Sequence, residues 1–202
     1  METEAFAREF TAAMDCRGLL TAPALARRLE LLGATRVLDI AGGSGVFACA
    51  IAAHFPHLAA AVLEKAPVDG IAARAIEARG FSDRVTVITS DMLADPLPSG
   101  FDVHLFSNVL HDWDVDVVRR LLSASAAALP AGGTLLVHDT FLNDEKTGPL
   151  PIAEYSVLLM HVTQGRCYGR AEIAAWMADA GFDVGALVPS AAGRAALVAR
   201  RR

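Results

Sequence analysis

Two groups of residues in this sequence have types and spacings suited to binding and changing a small molecule. The first is a glycine loop made by Gly42, Gly43 and Gly45, between a strand-like apolar run and a helix-like apolar run. Glycine lets the backbone approach a ligand closely, and the start of the following helix offers free N–H groups. The loop alone is a weak signal, because a tight turn that binds nothing has the same composition.

Acidic residues follow the next two strand-like runs. Glu64 ends the second run, at about the spacing from the loop at which an acid accepts hydrogen bonds from ribose hydroxyls. This spacing fits a nicotinamide dinucleotide and S-adenosylmethionine equally. Asp91 and Met92 follow the third run, where Asp can accept from an adenine amino group and Met can form a polarisable wall. Each is weak alone, since an Asp after a strand is most often a turn or cap residue.

The second group centres on His111, which follows the fourth strand-like run. Ligands of open α/β folds bind at the carboxyl ends of the strands, and an imidazole with an ordinary pKa of about 6.5 suits a base at neutral pH. The alternative is that His111 only precedes a helix capped by Asp112 or Asp114. The sequence therefore places a candidate base near a candidate binding loop.

Alternating strand and helix patterns must bring these residues together. Strands are predicted over residues 36–40, 60–63, 85–88, 103–106 and 134–137, and helices over 6–14, 23–32, 45–54, 68–79, 115–129, 152–161 and 170–180. Gly33 is expected to end the second helix, and Asp114 is expected to cap the start of the helix over 115–129. The alternation indicates a parallel sheet covered on both faces. Residues 182–188 and 195–199 are predicted to form a final hairpin, which adds one antiparallel strand.

Composition narrows the class of protein. A chain of 202 residues is long enough for one domain, and 53% apolar with 20% charged residues excludes a disordered chain. No apolar run approaches the roughly 18 residues of a membrane span, so a soluble protein is expected. A net charge of -5 without a basic stripe argues against nucleic-acid binding. Three dispersed cysteines and the lack of a signal-peptide pattern favour the cytoplasm.

Motifs in a characteristic order extend these observations. They are Asp39 with the loop at 42–45, Glu64, Ser90-Asp91-Met92, Ser107-Asn108-Val109-Leu110-His111-Asp112-Trp113, and Gly132-Gly133-Thr134-Leu135-Leu136-Val137. Together they resemble the class I S-adenosylmethionine-dependent O-methyltransferases, most of all the group with plant caffeic acid and isoflavone methyltransferases, hydroxyindole O-methyltransferase and bacterial polyketide methyltransferases. The resemblance extends from about Phe10 to Val198.

The resemblance implies a fold and a cofactor. The fold is a doubly wound, Rossmann-like α/β sheet of seven strands, mostly parallel with an antiparallel C-terminal strand. Residues 1–35 would form N-terminal linking helices and residues 36–202 the S-adenosylmethionine-binding methyltransferase domain. The implied cofactor contacts are Gly42, Gly43, Gly45, Glu64, Asp91, Met92 and Ser107.

The resemblance also implies a reaction, the transfer of a methyl group to an oxygen of a phenolic or polyketide-like molecule. His111 would be the general base, and Asp139, after the fifth predicted strand, would orient its imidazole; a loop-opening Asp is the alternative for Asp139. His161 and Met160 are substrate-contact candidates, although an apolar helix face explains Met160 equally well. No metal is expected.

Two departures from the family pattern leave alternatives open. Family members carry a further N-terminal helical domain that dimerises and closes the acceptor pocket, and this sequence does not include it; a homodimer or a partner chain is therefore expected. Members also often place a second catalytic acid where this chain has Cys167, a position that suits an inert thiol. The alternatives are a cofactor-binding module or partner subunit without methyl transfer, and a relative that methylates nitrogen or carbon.

Overall fold

The computed structural model describes residues 3–31 and 33–202, and its strands form one sheet. The strands are β1 (Arg36–Ile40), β2 (Ala59–Glu64), β3 (Val85–Thr89), β4 (Val103–Ser107), β5 (Thr134–Asp139), β6 (Phe182–Pro189) and β7 (Ala195–Arg201). Their order is β3-β2-β1-β4-β5-β7-β6. Neighbours from β3 to β5 are parallel, whereas β7 runs antiparallel to both β5 and β6. The seven predicted strands, the final hairpin and its single antiparallel strand are confirmed.

Helices cover both faces of the sheet, as the alternating pattern predicts. They are α1 (Glu4–Ala26), α2 (Val46–His54), α3 (Val68–Ala78), α4 (Val115–Ala128), α5 (Leu150–Val162) and α6 (Arg170–Asp179). One apolar core joins α1, α2 and α3 to one face, and a second joins α4 and α6 to the other. Asp114 caps α4 as predicted, accepting a hydrogen bond from Val117 N at 3.0 Å. None of these helices combines the length and hydropathy needed to cross a membrane.

The N-terminal helices were predicted wrongly. Instead of helices over 6–14 and 23–32, one helix, α1, runs from Glu4 through Pro23 to Ala26. The buried side of α1 continues past the position where Pro23 removes a backbone donor, and packing against α2 outweighs the cost of that proline. At Gly18 an added Cβ would lie 2.6 Å from Val46 Cγ1, so only glycine allows this close approach. Gly33 ends no helix, and Leu32 lies outside the described residues.

The sheet order places the candidate residues at one edge. Strands β2, β1, β4 and β5 are adjacent and parallel, so their carboxyl ends lie side by side. The chain turns to opposite sides after β1 and β4, and the crevice between such strands is where open α/β sheets bind ligands. The glycine loop follows β1, Glu64 ends β2, Ser107 ends β4 and Asp139 ends β5.

Candidate active site

A cavity of about 850 Å³ opens at this edge of the sheet and is bounded by α1 and α5. It contains most of the residues that the sequence singled out. Those among its lining are Gly42, Gly43, Glu64, Asp91, Met92, Ser107 and His111. The glycine loop and the candidate base therefore share one chamber.

Glu64 accepts a hydrogen bond from the backbone of the glycine loop. The backbone N–H of Gly43 donates to Glu64 Oε1 at 2.9 Å, and the N–H of Lys65 donates to Glu64 Oε2 at 3.2 Å. Gly43 has φ +59°, and no atom lies within 4 Å of the place its Cβ would take. Burial raises the pKa of Glu64 to about 7, although both N–H groups favour the carboxylate. The loop thus presents bare backbone beside an acceptor.

Gly45 supports the glycine loop without lining the cavity. It was expected to contact the cofactor, but it is not part of the cavity lining. Its φ is +74°, and an added Cβ would lie 3.0 Å from both Val62 Cγ2 and Ile76 Cγ1. This glycine allows the start of α2 to pack closely on β2 and α3. It therefore shapes the loop from behind.

Asp91 and Met92 also line the cavity, after β3, the strand next to β2. Asp91 Oδ1 accepts a hydrogen bond from Leu93 N at 2.9 Å, and its Oδ2 lies 3.4 Å from Lys65 Nζ. The ion pair is largely solvated, with 57% of the Lys65 side chain exposed, so it contributes little stability. Asp91 therefore keeps oxygen lone pairs available toward the cavity.

Asp39 is a lining residue to which the sequence assigned no role of its own. Its carboxyl group is fully buried, with Oδ2 accepting from Ala48 N at 3.1 Å. Among the described residues Oδ1 has no hydrogen-bond partner. Burial raises the pKa of Asp39 to about 7, against the lowering by the Ala48 bond. An acid between the apolar residues Leu38 and Ile40 of β1 was the signal for it, and an unpaired buried acceptor is suited to a ligand donor.

His111 lies on a short 3-10 turn, Leu110–Asp112, that the sequence analysis did not predict. Its Nδ1 lies 2.6 Å from Asp139 Oδ1, and both side chains are buried. Asp139 also accepts a hydrogen bond from Thr140 N at 2.8 Å, which fixes the carboxylate. The other ring nitrogen, Nε2, lies 3.4 Å from the hydroxyl of Tyr155 on α5. Asp139 therefore fixes the ring through Nδ1, and Nε2 lies on the opposite side of the ring.

The charge around His111 favours its protonated form. Burial opposes that form, but the charge of Asp139, the hydrogen bond with it and the charge of Asp112 outweigh burial and raise the pKa of His111. Asp112 Oδ1 lies 3.6 Å from His111 Nε2. The imidazole is consequently a stronger base than a free histidine.

A buried polar network that sequence reasoning missed lies behind Ser107. The Ser107 hydroxyl lies 2.8 Å from His138 Nδ1, and His138 Nε2 lies 2.7 Å from Ser190 Oγ. Burial lowers the pKa of His138 to about 4, so this ring is neutral at pH 7. Asn108, with φ +57°, donates to Ser107 and accepts from Arg194 Nε at 2.6 Å. Because Arg194 comes from the distant C-terminal hairpin, no local pattern could have revealed this support.

Met160 and His161, the candidate substrate contacts, are not among the residues that line the cavity. Met160 is 62% exposed, and His161 Nδ1 bonds the carbonyl of Val157 on its own helix. The face of α5 that lines the cavity carries Tyr155, Leu158, Leu159 and Val162. This spacing of three, four and seven residues defines one helix face, from which Met160 and His161 are rotated away.

Cys167 is buried at the position where relatives often carry an acid. Its Sγ lies 3.4 Å from Thr140 Oγ1, and its backbone N–H donates to Ser156 Oγ at 3.1 Å. Burial raises the pKa of the Cys167 thiol. A neutral thiol here leaves Asp139 as the carboxylate bonded to His111.

Known proteins share both the sequence and this architecture. The 3-hydroxy-5-methyl-1-naphthoate 3-O-methyltransferase of Streptomyces sahachiroi is 39% identical over 162 residues, 80% of this chain and 47% of that protein. The mitomycin biosynthesis 6-O-methyltransferase of Streptomyces lavendulae is 33% identical over 197 residues, 97% of this chain and 56% of that protein. A crystal structure of an O-methyltransferase family 2 protein from Planctomyces limnophilus, in complex with apigenin, superposes with a TM-score of 0.95 at 35% identity, over 100% of this chain and 62% of that chain.

The chain spans about half of the length of the curated relatives it matches. The family described as O-methyltransferase domain matches residues 1–183. The predicted seven-stranded fold is the fold of the matched structure. By sequence and by fold, this chain belongs to the O-methyltransferase domain family.

Proposed function

We propose that this chain is the catalytic part of an S-adenosylmethionine-dependent O-methyltransferase acting on a phenolic or polyketide-like small molecule. One observation carries the proposal: His111, bonded to Asp139 at 2.6 Å, lines the same cavity as the glycine loop and Glu64. A buried base beside a nucleoside-type binding loop suits the removal of a proton from an acceptor next to a bound cofactor.

The chamber fits S-adenosylmethionine in its donor and acceptor chemistry. The cofactor offers ribose hydroxyls, an adenine amino group and a methionine ammonium group, all hydrogen-bond donors. Glu64, Asp91 and the unpaired Asp39 Oδ1 provide carboxyl acceptors, and Met92 provides an apolar wall. The cofactor carries no phosphate, and residues 39–54 contain no Lys or Arg to bind one.

When bound, the cofactor supplies a methyl group activated by its sulfonium. The acceptor oxygen would take this methyl group from the sulfur, and His111 Nε2 would take the proton that the acceptor loses. Asp139 keeps Nδ1 protonated and fixes the ring, so that Nε2 has its lone pair available. Orientation in the cavity contributes most of the rate, with effective molarities of about 10⁵ to 10⁸ M, while a positioned base adds about 10² to 10⁴.

The names of relatives support the proposed class of substrate. One acts on a hydroxynaphthoate and another in mitomycin biosynthesis, and the matched crystal structure holds apigenin, which is a polyphenol. Other relatives are named as an L-tyrosine C(3)-methyltransferase and an N,N-dimethyltransferase. The buried base favours a hydroxyl acceptor here, because a phenol with a pKa of about 10 must lose its proton, whereas a neutral amine attacks without such help.

A cofactor-binding module without methyl transfer is the alternative, since the chain spans about half of its relatives. A panel of phenolic acceptors incubated with labelled S-adenosylmethionine separates the two. Transfer to any acceptor supports the enzyme, and S-adenosylhomocysteine binding without transfer supports the module.

The binding prediction concerns Glu64. We expect the chain to bind S-adenosylhomocysteine and not NAD, and Glu64→Ala to weaken that binding by about 1 to 3 kcal/mol, because a charge-assisted acceptor is lost and the N–H of Gly43 is left unpaired. Isothermal titration calorimetry measures both ligands.

Glu77→Ala is the matched control, since Glu77 is an exposed acid on α3 outside the cavity. Binding of NAD in place of S-adenosylhomocysteine would overturn the cofactor proposal. An equal loss in both variants would remove Glu64 from the binding site.

We also propose that the apolar faces of α1 and α5 are covered by a second copy or a partner chain. Leu19 and Leu20 on α1 are 64% and 63% exposed, and Leu150 and Val162 on α5 are 69% and 68% exposed. Apolar surface concentrated on two helices is typical of an interaction site.

Cys49 and Cys167 are buried free thiols, which suits the proposed cytoplasmic location.

Self-association of the purified chain is the expected consequence. Light scattering over a wide concentration range should show dimers or larger species, and Leu19→Glu with Leu20→Glu should reduce them. Ser123→Glu with Ala127→Glu, which adds the same two charges at exposed positions of α4, should have no effect. A monomer at every concentration would contradict the self-association.

A further inference from the structure

Arg17 is a cavity residue that the proposed chemistry does not use. It lies half-buried on α1 and lines the chamber together with His111 and Asp112. Within the described part of the chain it forms no ion pair. Its Nη2 instead lies 3.1 Å from the thioether sulfur of Met14, a weak acceptor. Most of the hydrogen-bond donors of this guanidinium have no partner in the described part of the protein, so they are available to a ligand.

Some other charged residues of the cavity are already in ion pairs. Lys65 lies 3.4 Å from Asp91, and Asp15 lies 2.7 Å from Arg79. Arg17 therefore differs from Lys65, the other basic side chain that lines the chamber, because its charge has no carboxylate within ion-pair distance.

The guanidinium acts on the His111 end of the chamber. Burial raises the pKa of Asp112, and the charges of His111 and Arg17 oppose that rise. At the glycine-loop end, the charges that act on the pKa of Glu64 come from Lys65 and Asp69. Arg17 and His111 therefore line the same chamber, so a ligand bound there can contact both side chains.

We infer that Arg17 binds a carboxylate on the acceptor, so that the substrate class is an aromatic hydroxy acid. A guanidinium presents its N–H groups as a planar fork that matches a carboxylate, and such charge-assisted pairs are about twice as strong as neutral hydrogen bonds. The contact would also hold the ring in one orientation toward Nε2 of His111. This inference rests on the proposed function. The cofactor's own methionine carboxylate has the same chemistry, and the experiment separates the two sources.

The test compares two acceptors that differ only in the carboxylate, 3-hydroxy-1-naphthoate and 2-naphthol. Calorimetry measures the binding of each to the S-adenosylhomocysteine complex of wild type, Arg17→Gln and Arg17→Lys. Arg17→Gln should weaken binding of the naphthoate about 10- to 100-fold and leave 2-naphthol and S-adenosylhomocysteine within about 2-fold. Arg17→Lys, which keeps the charge without the fork, should lose less. Arg8→Gln is the control, since Arg8 is exposed on α1 outside the cavity.

Each other outcome overturns the inference. Loss of S-adenosylhomocysteine affinity in Arg17→Gln would assign the guanidinium to the cofactor's carboxylate. An equal effect on both acceptors, no effect on either, or a wild type that binds neither probe would show that Arg17 does not bind a carboxylate of the acceptor. Because binding is measured without turnover, a chain that discriminates the two acceptors and transfers no methyl group would support Arg17 while refuting the proposed function.

Discussion

Replacing His111 by Ala is expected to lower turnover of a phenolic acceptor about 10²- to 10⁴-fold, with S-adenosylhomocysteine affinity nearly unchanged. The reason is the geometry: Nδ1 is engaged by Asp139, whereas Nε2 is on the opposite side of the ring, and the glycine-loop contacts involve neither nitrogen. The loss should shrink for acceptors acidic enough to arrive already ionised, because no proton then needs removal. Steady-state rates across a series of phenols of decreasing pKa, with calorimetry for the cofactor product, provide the measurement.

His161→Ala is the control for the loss of an imidazole, since His161 is exposed on α5 and bonds only its own helix. It should leave both turnover and binding unchanged. A uniform response of His111→Ala across acceptors of high and low pKa would eliminate His111 as the base and leave orientation as the source of rate.

Much of this fold could be predicted because each strand carries its own local signal. Short β-branched and apolar runs end at polar or glycine residues, and the observed strands differ from the predicted ones by two residues or fewer at either end. The N-terminal helix is the exception. Pro23 and the polar residues before it read as a break, yet Gly18 and its neighbours contact α2 across distant sequence, and such packing overrides a local signal.

The candidate site could also be predicted only in part. Parallel strands end at one edge, so Glu64, Ser107, His111 and Asp139 could be placed together from strand order alone. Side-chain direction could not. The rotation of α5 about its axis decides that Tyr155 faces the chamber and His161 does not, and it depends on contacts with the remainder of the fold. Arg17 was hidden for a related reason, since the sequence gives no sign that a basic residue between two predicted helices has no partner.

Replacing Asp139 by Asn should lower kcat/KM by less than the roughly 10²- to 10⁴-fold expected for the loss of His111, because the base itself survives. It should also move the pH profile. The active form of His111 is deprotonated, so kcat/KM rises with pH through its pKa. In the wild type the charge and hydrogen bond of Asp139 raise that pKa above the ordinary value; Asn removes the charge, lowers the pKa and shifts the rise to lower pH. Asn keeps an oxygen for the N–H of Thr140, so folding should survive, which thermal unfolding checks. Asp112→Asn is the comparison, because Asp112 acts on the pKa of His111 by charge without bonding Nδ1, and it should shift the profile slightly with little loss at the plateau. A profile that stays in place in Asp139→Asn while the plateau falls would show that Asp139 does not act through the basicity of His111.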